Sequence, residues 1–204
     1  MERAAESGWR GSREGWLQAA YEALVEGGVD AVRITALASR LRLSRTSFYW
    51  FFRDRDDLLA ALRERWSEAT TRPLVAAAAL YAESGPEAML NVLGCFVSGR
   101  FDARFEFAAR GWALRDPAMM AEVHAADAVR LGALRDMLCR WGHGEEDADV
   151  RARTVYLVQI GYISMQPDET LAVRLARVPT YVEIYTGRAP APNEMARFRA
   201  GLGA

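Results

Sequence analysis

Apolar residues recur at three- and four-residue intervals along most of the chain, the period of amphipathic helices, and no stretch alternates with the two-residue period of a strand as strongly. Trp16, Ala19, Ala20, Ala23 and Leu24 share one face of a helix that begins near Ser12 and stops at Gly27-Gly28. Residues 35–59, TALASRLRLSRTSFYWFFRDRDDLL, then predict two short helices joined by a turn at Arg42-Leu43 and a long third helix. Thr35 is expected to cap the first of the pair, with Leu37, Ala38 and Leu41 on one face, and Ser44 to cap the second. In that second helix Phe48, Phe51 and Phe52 share the buried side, while Arg45, Thr46, Ser47, Tyr49 and Trp50 look outward. Two large aromatics on an outward face need a partner. A helix pair of this layout is one that enters the major groove of duplex DNA.

Asp54 is placed to cap the long helix, with Asp56 and Asp57 in its first turn, where the helix dipole favours anions. That helix carries Leu58, Leu62 and Trp66 and is predicted to run to about Thr71, with Pro73 kinking it or beginning a new one. The four alanines of residues 76–79 favour a helix. Ser84-Gly85-Pro86 opens another over about 86–98. Phe101, Phe105, Ala109 and Trp112 step at helical intervals, and Asp116-Pro117 restarts the chain into a helix that ends near Trp141-Gly142. Two stripes close the pattern, Val155, Val158, Tyr162 and Met165, then Leu171, Leu175, Val178, Val182 and Tyr185. Their 3.5-residue period suits a lengthwise helix pair between molecules and an intramolecular core equally well. Pro179 is expected to kink or split the second, and the tail after Gly187, with Pro190 and Pro192, reads as a loosely held end. The fold class is all-α.

The order Leu37-Ala38, Leu43-Ser44, Ser47-Phe48-Tyr49, Phe52, Arg55 and Leu58-Leu59 resembles the DNA-binding segment of TetR-family transcriptional repressors, over roughly residues 12–65. The chain departs from that pattern at Arg42, where glycine is common, at Leu41, where a small residue is common, and at Phe51, where histidine is common. An arginine at 42 disfavours a left-handed turn, which only glycine adopts without cost. The resemblance implies a DNA-binding domain over residues 1–54 and an effector-binding and dimerisation domain over 55–204. It also implies a homodimer paired through its last two long helices, which tips the reading of the stripes towards an interface. Such a dimer represses from a near-palindromic operator, and an effector that shifts the helix after Asp54 releases it. Helical position puts Arg45, Thr46, Ser47 and Trp50 at base edges or sugars, and Thr35, Ser44, Tyr49 and Arg55 at phosphates.

Composition changes this picture little. The chain is 51% hydrophobic and 26% charged, as in an ordinary globular protein, and its formal net charge is −1. The charge is uneven, however: between residues 31 and 55, Arg33, Arg40, Arg42, Arg45, Arg53 and Arg55 face only Asp54. A local basic face matters more for nucleic acid than the total. All the basic residues are arginine, which reads mainly as genomic base composition. The opening MERAAESGWRGS is charged where a signal peptide is apolar, and the longest uncharged stretch, residues 154–167, falls short of the ~18 residues of a membrane span. A cytoplasmic protein is expected.

Catalytic chemistry finds little footing. Cys95 and Cys139 lie far apart with no histidine to complete a metal set, and His124 and His143 have neither an acid nor a nucleophile at motif spacing. No GxSxG, P-loop, HExxH or GxGxxG sequence occurs, so no enzyme, cofactor or metal is expected. A small all-α enzyme and a helical protein-binding adaptor remain the alternatives. The segment RFDARFEFAARGWALRD mixes aromatic and basic residues. An organic effector among the helices of residues 62–165 would be lined by Trp66, Phe105, Trp112, His124 and Tyr156; the competing possibility is a solid core. Arg110, if buried, needs a partner, and Glu106 one turn earlier is nearer to hand than a ligand carboxylate.

Overall fold

The computed structural model describes residues 11–203, so all of the opening segment but Gly11 and Ser12 lies outside the described residues. Among them all regular structure is helical, and no helix is long and apolar enough to cross a membrane. The chain forms two compact units, Met1–Arg65 and Trp66–Ala204.

In the first unit, α1 (Arg13–Gly27) is capped by Ser12, whose Oγ accepts from Gly15 N at 3.0 Å, and is closed by Gly28 at φ 73°. A 3-10 turn at Val29–Ala31 leads into α2 (Ile34–Leu41). The turn leaves Arg33 as the last extended residue, so the helix starts two positions earlier than expected. Thr35 therefore lies inside α2 and does not cap it. Arg42 follows in the left-handed conformation, φ 54° and ψ 40°, despite not being glycine. A non-glycine residue there costs about 1–2 kcal/mol. Two closing bonds offset the strain: Arg42 N donates to Ser39 O at 3.1 Å and Leu43 N to Ala38 O at 2.9 Å, the Schellman pattern of a helix end.

The short α3 (Arg45–Phe48) is oriented by Phe48, fully buried with its ring edge-on to Trp16 at 5.3 Å and stacked near Phe52 at 5.5 Å. Phe51, expected beside them, is only half-buried. Asp54 Oδ1 accepts from Asp57 N at 2.8 Å and opens α4 (Arg55–Ala79). This helix continues through Pro73 instead of ending near Thr71. Proline has no N–H to give the carbonyl four residues back. Ala69 O instead accepts from Asp102 N at 3.0 Å, so the interruption is satisfied from another helix.

The second unit holds the rest of α4 and α5 (Gly85–Val97), α6 (Ala103–Ala113), α7 (Pro117–Arg140), α8 (Glu145–Met165), α9 (Leu171–Thr186) and α10 (Pro192–Leu202). Asp102 and Asp116 cap α6 and α7 through Phe105 N at 2.9 Å and Ala118 N at 2.9 Å. The core gathers Leu74, Met89, Val92, Leu134, Leu138 and Val155 with Leu175, Val178, Val182 and Tyr185. The second terminal stripe is thus mostly intramolecular core: Val182 is 0% exposed, while Val158 and Tyr162 are half-buried and Met165 is exposed. Pro179 sits inside α9 without ending it.

The tail after Gly187, expected to be loose, folds as α10 and packs on α5. Pro192 occupies its first turn, and Glu194 reaches back to accept from Ala191 N at 2.6 Å. Glu194 also accepts from Ser84 Oγ at 2.5 Å, and Arg197 pairs with Glu87 at 2.6 Å. Met195, Phe198 and Leu202, spaced by three and four, were the helical signal beneath the Gly/Pro composition.

Candidate nucleic-acid interface and interior polar cluster

The start of α3 is fixed by a reciprocal pair: Ser44 Oγ accepts from Ser47 N at 3.3 Å and Ser47 Oγ donates to Ser44 O at 2.6 Å. Ser47 is consequently spent on its own helix. At 5% exposure it faces inward, not outward as expected, because it stands one residue before Phe48 on the packed side. Ser44, Arg45, Thr46, Tyr49 and Trp50 are exposed, Trp50 at 65%.

The six arginines of this region divide sharply. Arg33 donates to Asp30 O, Arg40 pairs with Glu26 and Glu22, and Arg53 pairs with Asp57. The backbone and side-chain hydrogen bonds from Arg53 hold the Asp57 carboxyl below its ordinary range. Arg55 is taken up internally, its Nε donating to Val32 O at 2.7 Å and its Nη2 to Val29 O at 2.8 Å. The guanidinium expected at a phosphate instead pins the segment before α2 to the start of α4. Among the described residues, Arg42 and Arg45 have no partner and flank the capped start of α3. Arg42, counted in the basic face but not among the expected DNA contacts, belongs to the candidate surface. Thr35 is exposed in the first turn of α2.

This is a buried-aromatic scaffold that presents a short helix start with two free cations, hydroxyls and two aromatics. Residues 17–62 match the family model for bacterial regulatory proteins of the tetR family. Within the N-terminal unit, this segment is similar to the bacterial regulatory proteins of the tetR family. Solved structures of similar fold include a transcriptional regulator from Rhodococcus sp. Rha1, at TM-score 0.57 and 15% identity over 94% of this chain and 97% of that one. GusR of Salmonella enterica aligns at TM-score 0.58 and 12% identity, covering 94% and 95%. The TetR-family repressor AlkX of Dietzia sp. strain DQ12-45-1b, implicated in biodegradation of n-alkanes, aligns at 0.50 and 18% identity, covering 88% and 98%. These likenesses extend the TetR-type fold over nearly the whole chain. A search of curated proteins finds no match.

Within the second unit the residues expected around an effector separate. Trp66, Phe105, Trp112 and Tyr156 are buried, whereas His124 is exposed on an open groove of about 440 Å³ between α7 and α8. Trp112 Nε1 donates to Asp116 at 2.8 Å. Trp66 and Tyr156 belong to a charged cluster. Glu106, fully buried, accepts from Trp66 Nε1, Arg110 Nε and Arg130 Nη1, each at 2.8 Å. Arg130, also fully buried, donates to Thr70 at 2.7 Å, Thr71 at 3.0 Å and Tyr156 Oη at 2.7 Å, and lies 5.1 Å from the Trp66 ring. Tyr156 Oη donates to Asp127 at 2.6 Å, and Arg110 grips the same carboxylate with both terminal nitrogens.

The expected Glu106–Arg110 pair is present, but within a network that also recruits Asp127 and Arg130. Burial alone would lower both arginines, and the facing carboxylates and hydrogen bonds instead raise them. Burial pushes Tyr156 upward against the opposing charge of Arg130. The signal for Arg130 was one cation amid the apolar positions of α7, three residues after Asp127 and so its neighbour on the helix surface. Elsewhere, Cys95 is buried, which pushes its thiol up to about 11, and Cys139 is half-buried.

Proposed function

We propose that the protein is a ligand-responsive repressor that binds a near-palindromic operator as a homodimer in the cytoplasm. Residues 1–54 supply the DNA-binding domain and 55–204 the effector-binding and dimerising one. The observation that carries this reading is the exposed set at the start of α3, where Arg45, Thr46 and Trp50 can reach base edges while Ser44, Tyr49 and the unpaired Arg42 meet phosphates. Thr35 stands at the flank of that surface. Ser47 and Arg55 act from behind it, by holding the helix start and the entry to α2.

Dimerisation is assigned to the outward faces of α8 and α9, where Val150, Thr154 and Leu157 on one and Val173, Thr180 and Ile184 on the other form exposed stripes. An effector that prefers one dimer shape shifts the population through α4, whose residues belong to both units. Operator selection from random duplex DNA with purified protein tests the reading. A palindromic consensus bound with a steep salt dependence is expected, and salt-insensitive or sequence-blind binding would favour the adaptor. Turnover of any bound molecule would favour the enzyme.

A further inference from the structure

A hollow of about 380 Å³ opens between α6, α7 and α8, within the size range of sites for small organic molecules. Phe107, Leu114, Met120 and Val123 give it apolar walls, and Arg110 is the one charged residue lining it. A guanidinium has five N–H groups. That of Arg110 gives one to Glu106, two to Asp127 and one to Tyr156 Oη at 3.0 Å. One N–H on Nη1 is left without an acceptor among the described residues, on a side chain 25% exposed. The charges are already balanced, with Arg110 and Arg130 against Glu106 and Asp127. An entering carboxylate would lose its hydration beside two anions with no cation in excess, whereas a carbonyl oxygen can take the spare N–H without that penalty.

Gly111 supplies an independent observation. It lies inside α6, its φ is not positive, and a Cβ added there would meet nothing within 4 Å. Glycine weakens a helix interior, and neither backbone geometry nor close packing requires it here. It lines the hollow and keeps that wall open.

We propose that this hollow binds an uncharged, mainly apolar molecule with one hydrogen-bond acceptor, such as an ester or ketone, and not an organic acid. The inference rests on the ligand-responsive reading above for its regulatory meaning, but not for its test. Isothermal titration calorimetry of the full chain would use straight-chain and aromatic methyl esters and ketones, each paired with the carboxylate of equal carbon number, methyl octanoate with nonanoate among them. At least one neutral probe should bind at least about tenfold more tightly than its paired acid, which corresponds to about 1.4 kcal/mol.

Gly111→Leu should abolish that binding by filling the space. Leu114→Glu, at an exposed wall position that leaves folding intact, should weaken it as well. Acids that bind as tightly as their neutral partners, a panel with no neutral binder, or binding unchanged in Leu114→Glu and any folded Gly111→Leu would each overturn the proposal. Operator release is scored separately: a neutral probe that binds but releases no operator counts against the ligand-responsive reading and leaves the site standing.

Discussion

Arg42 and Arg55 show how a residue's role follows from where its backbone and donors are committed. Arg42 holds a left-handed turn that glycine would adopt freely, so Arg42→Gly should raise stability by up to about 1 kcal/mol, with glycine's larger unfolded-state entropy offsetting part of the gain. Thermal denaturation reads this directly. The same change removes an unpaired cation, so affinity for every duplex should fall together and the salt slope flatten by about one. Arg55→Ala should do the reverse. Its guanidinium serves Val29 and Val32 carbonyls, and hydrogen bonds to a charged group contribute about 1.5–3 kcal/mol, so stability drops while the salt slope stays. A flattened slope in Arg55→Ala, with unchanged melting, would restore the phosphate contact that the sequence suggested. The pattern made both arginines conspicuous by position. It could not show that one would find carbonyls 23 and 26 residues earlier, since those contacts exist only once α2 and α4 have docked.

At the level of helices, local signals located the starts of α3, α4 and α7 well, because Ser44, Asp54 and Asp116 satisfy local amides whatever the tertiary structure. It failed where the third dimension decides. A stripe of apolar residues states that a face is covered without stating by what, and for α9 the cover is α5. The outward residues of α8 and α9 were the less regular ones, interrupted by Thr154 and Thr180. Leu157 at 64% exposure and Ile184 at 59% are the better probes of association. Leu157→Asp with Ile184→Asp should leave a folded monomer that has lost operator affinity, read by light scattering and anisotropy. Val182→Asp should instead unfold the protomer, as a buried charge without a partner does. A double mutant that stays dimeric would move the interface elsewhere. Pro73 and Pro179 are carried inside helices without ending them, and Pro192 begins one where the composition suggested a loose tail.

Over the whole molecule the interior cluster sets a pH limit. Burial raises the folded-state pKa of Tyr156 above its unfolded value of about 10, so its contribution is intact below that pH and is lost as pH rises further. Tyr185 is raised by burial in the same direction. Tyr156→Phe should therefore cost about 1–3 kcal/mol at neutral pH, by leaving Asp127 and Arg130 each short of a partner, and make the alkaline loss above pH 10 shallower. Chemical denaturation across pH checks both, and an unchanged alkaline slope would assign the loss to the other raised tyrosines, Tyr181 and Tyr185. The break in backbone pairing at Pro73 carries a different consequence. Asp102 caps α6, and its amide proton is held by Ala69 O of α4. That single proton should exchange with deuterium slowly while α4 and α6 stay together and quickly once they part. It is a built-in clock for the separation of two helices, readable without an attached probe and before any operator is added.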